Sequence, residues 1–227
     1  MIKFGFVFLA LLAASALGSM VMSNPPEVTV DDPAVARNRR LTASTGLIVY
    51  ALLVAIAATL FNIRDLLTAH YVVGLLLLPP VILKMGSTGY RFVRYYAGSG
   101  AFRLAGAPPV LLRFVVAPVL VASTLVVFAT GVELWLFGLR FGSGWIEAHA
   151  ISAVLMVLAT AAHVLAHLRR SADLALSDLS TLRSEAPSKR SLILASVVAG
   201  SVLAIASLLY ASPFTVSFAG GRPAEAH

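Results

Sequence analysis

The sequence contains no cysteine. That absence excludes a cysteine-ligated iron–sulfur cluster, a covalently attached c-type haem, which needs Cys-x-x-Cys-His, and a structural disulfide. Charge is scarce as well, at 12% of 227 residues. There is no G-x-G-x-x-G after an expected strand and no P-loop, so no nucleotide-binding signature is present and no internal repeat replaces one. Any redox cofactor must therefore be held by non-covalent means.

What is abundant is apolar side chain. Hydrophobic residues make up 59% of the chain and the mean hydropathy is +0.91, values far outside the range of soluble domains. A spanning helix needs about 20 mostly apolar residues, and such runs recur at roughly 3–21, 46–63, 68–86, 110–138, 145–168 and 191–212. They are too long and too uniformly apolar for barrel strands. The expected fold is all-α, a polytopic transmembrane bundle of about six spans. Residues 1–22 read as an N-terminal transmembrane helix, 36–212 as the main bundle and 213–227 as a short tail. The stretch 170–190 reads as a solvated connection with one amphipathic turn.

The distribution of Lys and Arg sets an expected orientation. Thirteen fall in three alternate connections, at 22–45, 84–113 and 169–190, against Arg64, Arg140 and Arg222 on the other side. Positive connections are retained in the cytoplasm, so those three are expected inside and both termini outside. The first segment also resembles a signal peptide, with Lys3, an apolar core and small residues near Ala14, Ser15 and Gly18. Cleavage there would invert the charge bias, which favours an uncleaved helix. The expected location is a bacterial plasma membrane.

Histidines stand out in this medium. His149, His163 and His167 lie in "EAHAISAVLMVLATAAHVLAHLRR", and His70 begins "HYVVGLLLLPPVILKM". Fourteen residues separate His149 from His163, about 1400° of helix and roughly 40° short of four circles, while eighteen bring His167 into phase. All three share one helix face, with His163 about 21 Å deeper than His149. His70 lies at the same outer depth as His149 but on another helix. Two imidazoles at equal depth on two helices are what a haem b needs above and below its iron. Gly74, Ser152 and Ala153, one turn along from these ligands, leave room for a flat macrocycle. The plainer alternative, a histidine hydrogen-bonded at the interface, suits His70 alone better than four histidines in an apolar chain.

An inner haem is a weaker expectation. His163, deeper in the apolar run, is preferred to His167 as its ligand, but the matching depth on the third helix holds Lys84 and Met85. Pro79 and Pro80 are expected to kink or unwind that helix, so phase does not carry through them. Lys84 reaching towards the interface and His167 capping a helix end are the plain alternatives.

The segments "HYVVGLLLLPPVILKMGSTGYRFVRYY" and "HVLAH" carry a resemblance. Over roughly residues 36 to 212 the chain is similar to uncharacterised actinobacterial membrane proteins, and resembles the cytochrome b561 and ferric-reductase-like bundles. That resemblance implies a four-helix haem-binding core passing electrons between a redox partner protein and quinone or another acceptor. The implied cofactor is haem b, one from His70 and His149, with a second, ligated by His163, left open. The full two-haem pattern has two histidines on each of two helices, whereas the third helix here has one.

After Met85 the sequence suggests a Gly-punctuated exit from the membrane. Arg91 and Arg94 there would either pair with haem propionates or, with Tyr90, Tyr95 and Tyr96, anchor the chain among anionic lipids. Glu133, near the outer end of the fourth span, suits a proton relay, a partner to a nearby base or simple hydration. An electron-transfer subunit, rather than a complete enzyme, is thus the leading reading. Membrane lipid, a redox protein and quinone are its expected partners, and nucleic acid is not among them. A histidine-based metal or proton transporter and a non-catalytic membrane scaffold are the alternatives.

Overall fold

A computed structural model of the chain describes residues 2–21, 32–106, 110–180 and 187–215. Among these, regular structure is entirely helical. The elements are α1 (Ile2–Val21), α2 (Pro33–Thr59), α3 (Leu67–Tyr96), the short α4 (Gly100–Leu104), α5 (Ala117–Phe137), α6 (Gly144–Ser180) and α7 (Pro187–Leu208). A 3₁₀ turn, Leu60–Asn62, follows α2, and a π-helical turn, Leu112–Val116, leads into α5. Five helices are long and apolar enough to cross a membrane, and the shorter apolar stretch Gly5–Leu17 of α1 is not among them.

Local chemistry explains the boundaries. The Asp32 carboxylate accepts hydrogen bonds from the amides of Ala34 and Val35 at 2.8 and 3.0 Å, and Pro33 occupies the first turn, so α2 starts there and not near residue 46. The expected break after Met85 does not occur. α3 runs through Pro79, Pro80, Gly86 and Gly89 to Tyr96, a length of about 45 Å against a hydrocarbon core of about 30 Å, which lets its last turns reach the polar boundary. α5 closes at Gly138, whose φ of 62° lies in the left-handed region. α6 likewise continues past 168 to Ser180, so the first part of the expected polar connection is helical, while residues 181–186 lie outside the described set.

The two prolines of α3 shape the packing. Pro80 has no amide hydrogen to give the carbonyl of Leu76, and α7 approaches that freed oxygen through Gly200. A Cβ on Gly200 would overlap the Leu76 carbonyl. Elsewhere α2 packs antiparallel to α3, α5 to α6, and α1 lies against α6 and α2. One buried cluster joins five helices through Phe8, Leu12, Leu53, Leu77, Val127 and Met156. α1 therefore shares its core with the rest of the bundle, with its N-terminal end beside the Leu60–Asn62 turn, where Phe6 meets Phe61 at 4.7 Å.

Apolar side chains also cover the outside. Leu125, Leu155, Val202 and Ile205 are well exposed on α5, α6 and α7, which is the surface of a membrane protein in contact with lipid. Helix direction sorts the ends: Arg37, Arg39, Arg40, Lys84, Arg91 and Arg94 gather at one, whereas Arg64 and Arg140 lie at the other. His70 and His149 belong to the second.

Candidate functional site

His70 sits in the first turn of α3 and His149 in the early turns of α6. The α2–α3 and α5–α6 connections lie at the same end of the bundle, so the two antiparallel pairs bring both imidazoles to one level. Their ring centroids are 6.4 Å apart with planes inclined by 78°. Two imidazoles sharing a metal, each nitrogen about 2 Å from it, have centroids roughly 6 Å apart. The observed separation is of that size.

The hydroxyls behind the rings settle the tautomers. Thr59 Oγ1 lies 2.6 Å from the Ile56 carbonyl and 2.7 Å from His70 Nδ1. A carbonyl can only accept, so the single hydroxyl hydrogen goes to Ile56 and the threonine oxygen accepts Nδ1–H from His70. His149 is held the same way: Nδ1 lies 3.1 Å from the Val127 carbonyl and 3.1 Å from Thr130 Oγ1, which itself donates to the Val126 carbonyl at 2.7 Å. Both rings carry hydrogen on Nδ1, and Nε2 of each is left with its lone pair. This is how metal-ligating histidines are oriented, with the second nitrogen donating to an oxygen.

Both rings line one cavity of about 450 Å³ between α1, α2, α3, α5 and α6. Its walls are mostly aliphatic and aromatic, with no Asp, Glu, Lys or Arg among them, and the polar contributions come from His70, Tyr71, Trp135, His149, Thr160, Ser212 and Thr215. Glycines make the clearances. A Cβ on Gly131 would stand 3.1 Å from His149 Cε1, and one on Gly74 would touch Ile56 at 3.6 Å. Gly74 and Ala153 line the cavity as the sequence suggests, while Ser152 is buried with its hydroxyl on the His149 carbonyl at 3.1 Å. Among the described residues no group of three or more His, Asp or Glu could hold a bare metal ion. Two histidines with Nε2 unprotonated beside one apolar cavity suit a cofactor that brings further metal ligands of its own. The donor set fits haem.

Comparison with models of protein families, with curated proteins and with solved structures finds no match. The chemistry of the site thus rests on its own geometry.

The other sequence candidates lie apart from this pair. His163 and His167 are neighbours on α6, ring centroids 4.9 Å apart. Both project from α6, whereas His70 and His149 come from two helices. Lys84 of α3 reaches α2, its Nζ donating to the Thr42 carbonyl at 2.7 Å. Arg91 lies about 31 Å along α3 from His70 and donates to the Gly106 carbonyl at 3.2 Å. Arg94 reaches Ser99 Oγ at 3.4 Å. Neither arginine lines the cavity between His70 and His149. Both carboxylate oxygens of Glu133 are buried and have no hydrogen-bond partner among the described residues.

Several residues of the site were not singled out from the sequence. Thr59 and Thr130 are two of several hydroxyls in apolar helices, with Thr45, Ser123 and Thr124 among the others, and Gly131 precedes no turn. Only the structure singles them out, burying both at 7% and 3% exposure beside the imidazoles. The segment after α7 was also missed. Ser212 donates to the Trp135 carbonyl at 2.7 Å, Tyr210 OH to that of Leu136 at 2.7 Å, and Pro213 rests on Gly138. These interactions hold Ser212, Phe214 and Thr215 in the lining of the cavity.

Proposed function

We propose that the chain is a membrane b-type cytochrome, an electron-transfer subunit whose haem b is held by His70 and His149. The observation that carries this reading is the pair of Nδ1-tethered imidazoles, centroids 6.4 Å apart, in an apolar cavity. The similarity of His70 to Tyr96 and of His149 to His167 to the cytochrome b561 and ferric-reductase-like bundles points the same way. A bound haem supplies a one-electron couple. The chain's own residues would hold it: His70 and His149 through Nε2, with Thr59 and Thr130 fixing the rings and aliphatic side chains excluding water. With no nucleotide-binding signature, the chain exchanges electrons with a redox partner protein and with quinone or another acceptor.

Orientation belongs to the same proposal. The arginine-rich end faces the cytoplasm of a bacterial cell, α1 completes six spans, and the haem lies near the outer face. A second haem on His163 would need a ligand from another helix, because His163 and His167 are neighbours on α6.

An absorption spectrum of the purified protein, oxidised and then reduced, tests the reading directly. A low-spin b-type spectrum is expected. Replacing His70 or His149 by Ala should abolish or severely weaken haem binding, and His167→Ala should cost less than either. Full haem content and an unchanged low-spin spectrum in both variants, purified intact, would exclude this ligand pair.

A further inference from the structure

The cavity beside His70 and His149 has no Asp, Glu, Lys or Arg in its walls, so a cofactor with charged substituents must find neutral donors there. Haem b carries two carboxylates on one edge. Two donor-bearing side chains line the cavity at the histidine end, each within about a turn of its helix terminus: Tyr71 follows His70 near the start of α3, and Trp135 lies near the end of α5, one turn beyond Gly131. Their ring centroids are 6.5 Å apart. Trp135 is held in place by the Tyr210 ring, at 5.1 Å, and by the Ser212 hydroxyl, which donates to its carbonyl at 2.7 Å. Its Nε1–H is nevertheless enclosed, with no hydrogen-bond partner among the described residues. An indole nitrogen can only donate, and an enclosed donor without an acceptor is destabilising, so an acceptor that arrives with the cofactor removes that penalty.

Other places for the carboxylates are poorer. Arg64 and Arg140, at the same end, are not in the lining, and Arg140 stacks on Phe141 at 5.7 Å. Thr160 does line the cavity, but it stands eleven residues along α6 from His149 and so about 16 Å deeper, within the apolar span Gly144–Leu168. A carboxylate there would be buried with one neutral hydroxyl, whereas at the histidine end it meets two donors near the polar boundary.

We propose that Tyr71 and Trp135 orient the cofactor by hydrogen bonds to its carboxylates at the histidine end of the cavity, so that the site prefers a porphyrin with free carboxylates to one whose carboxylates are blocked. A few placed polar groups in an otherwise apolar pocket are the usual means of fixing a ligand's orientation. The inference rests on the haem reading above, and neither residue takes part in ligating the iron.

The test uses the full-length protein in detergent, freed of haem and titrated with haem b or with haem b dimethyl ester while the low-spin spectrum is followed. The unaltered protein should bind haem b more tightly than the ester. Trp135→Phe, which keeps an aromatic ring against Tyr210, and Tyr71→Phe should each weaken haem b about tenfold, the scale of one lost hydrogen bond to a charged group, and the ester by less than about twofold. The preference then collapses. Equal affinity for the two compounds in the unaltered protein, or an unchanged preference in both variants, overturns the inference while the low-spin spectra leave the ligand pair standing. Loss of the preference in Thr160→Val, with both other variants retaining it, overturns it by placing the carboxylates at depth. No low-spin spectrum with either compound on the unaltered protein removes the haem reading itself, and this inference with it.

Discussion

At the scale of single residues, the site depends on two threonines as much as on two histidines. His70 has one oxygen behind Nδ1, that of Thr59, whereas His149 has both the Thr130 hydroxyl and the Val127 carbonyl. Thr59→Val should therefore reduce haem affinity by about tenfold, within the usual range for outer-shell partners of ligating histidines, and Thr130→Val by less. Haem titration of the two variants side by side checks the order. Equal losses would show that Val127 contributes nothing to holding its ring. Gly131 is the matching steric control. Its Cβ would press within 3.1 Å of His149 Cε1, so Gly131→Ala should perturb the low-spin spectrum while leaving the helices intact, and Gly131→Leu should exclude the cofactor.

At the scale of elements, the Pro79–Pro80 pair shows how a local rule is met through packing. Two prolines in a helix remove two amide donors, and in soluble proteins that usually breaks the run. Here α3 continues, and the carbonyl of Leu76 freed by Pro80 becomes the point where α7 comes closest, through Gly200. Close approach by small residues is the ordinary means of joining helices in lipid. Gly200→Ala would drive a methyl group into a backbone carbonyl that has little room to move. A destabilisation of about 1–3 kcal/mol is expected, read as a lower midpoint in detergent unfolding, with α7 separating from α3 before the haem spectrum changes. Unaltered stability would mean that α7 shifts freely along α3.

At the scale of the whole molecule, the asymmetry of charge and the antiparallel order of helices agree. The turns Ile63–Leu66 and Leu139–Ser143 stand at the histidine end, and α4 with its Arg103 stands at the other. Single cysteines report the orientation cleanly, since the chain has none of its own. A cysteine at Ser143 should react with an impermeant reagent in intact cells, and one at Ser99 only after lysis. The reverse pattern would place the His70–His149 pair near the cytoplasmic face. α1 takes part in the same assembly, because Phe8 and Leu12 line the cavity, and a variant with Phe8→Ala should bind haem more weakly by opening one wall.

Much of this was legible without coordinates. Apolar runs of spanning length dictate helices, since every backbone group in lipid must find its partner within the segment, and alternate basic connections dictate their direction. Helical phase alone put His149, His163 and His167 on one face, and depth alone matched His149 to His70. Where helices end was less legible: α2, α3 and α6 all run past their apolar windows, because Asp32 caps α2 and because polar residues such as Arg91 stay helical once they reach water. The partners across helices were not legible at all. Nothing in sequence spacing links Thr59 to His70, Val127 to His149, Gly46 to Lys84 or Gly200 to Leu76. Each pair meets between separate helices, and its existence depends on how far each helix is rotated and how closely it approaches its neighbour. The sequence by itself determined which segments are apolar enough to span a membrane and where along them the histidines fall. Tertiary packing decided which of them meet, and so which nitrogen of each histidine remains available for a metal.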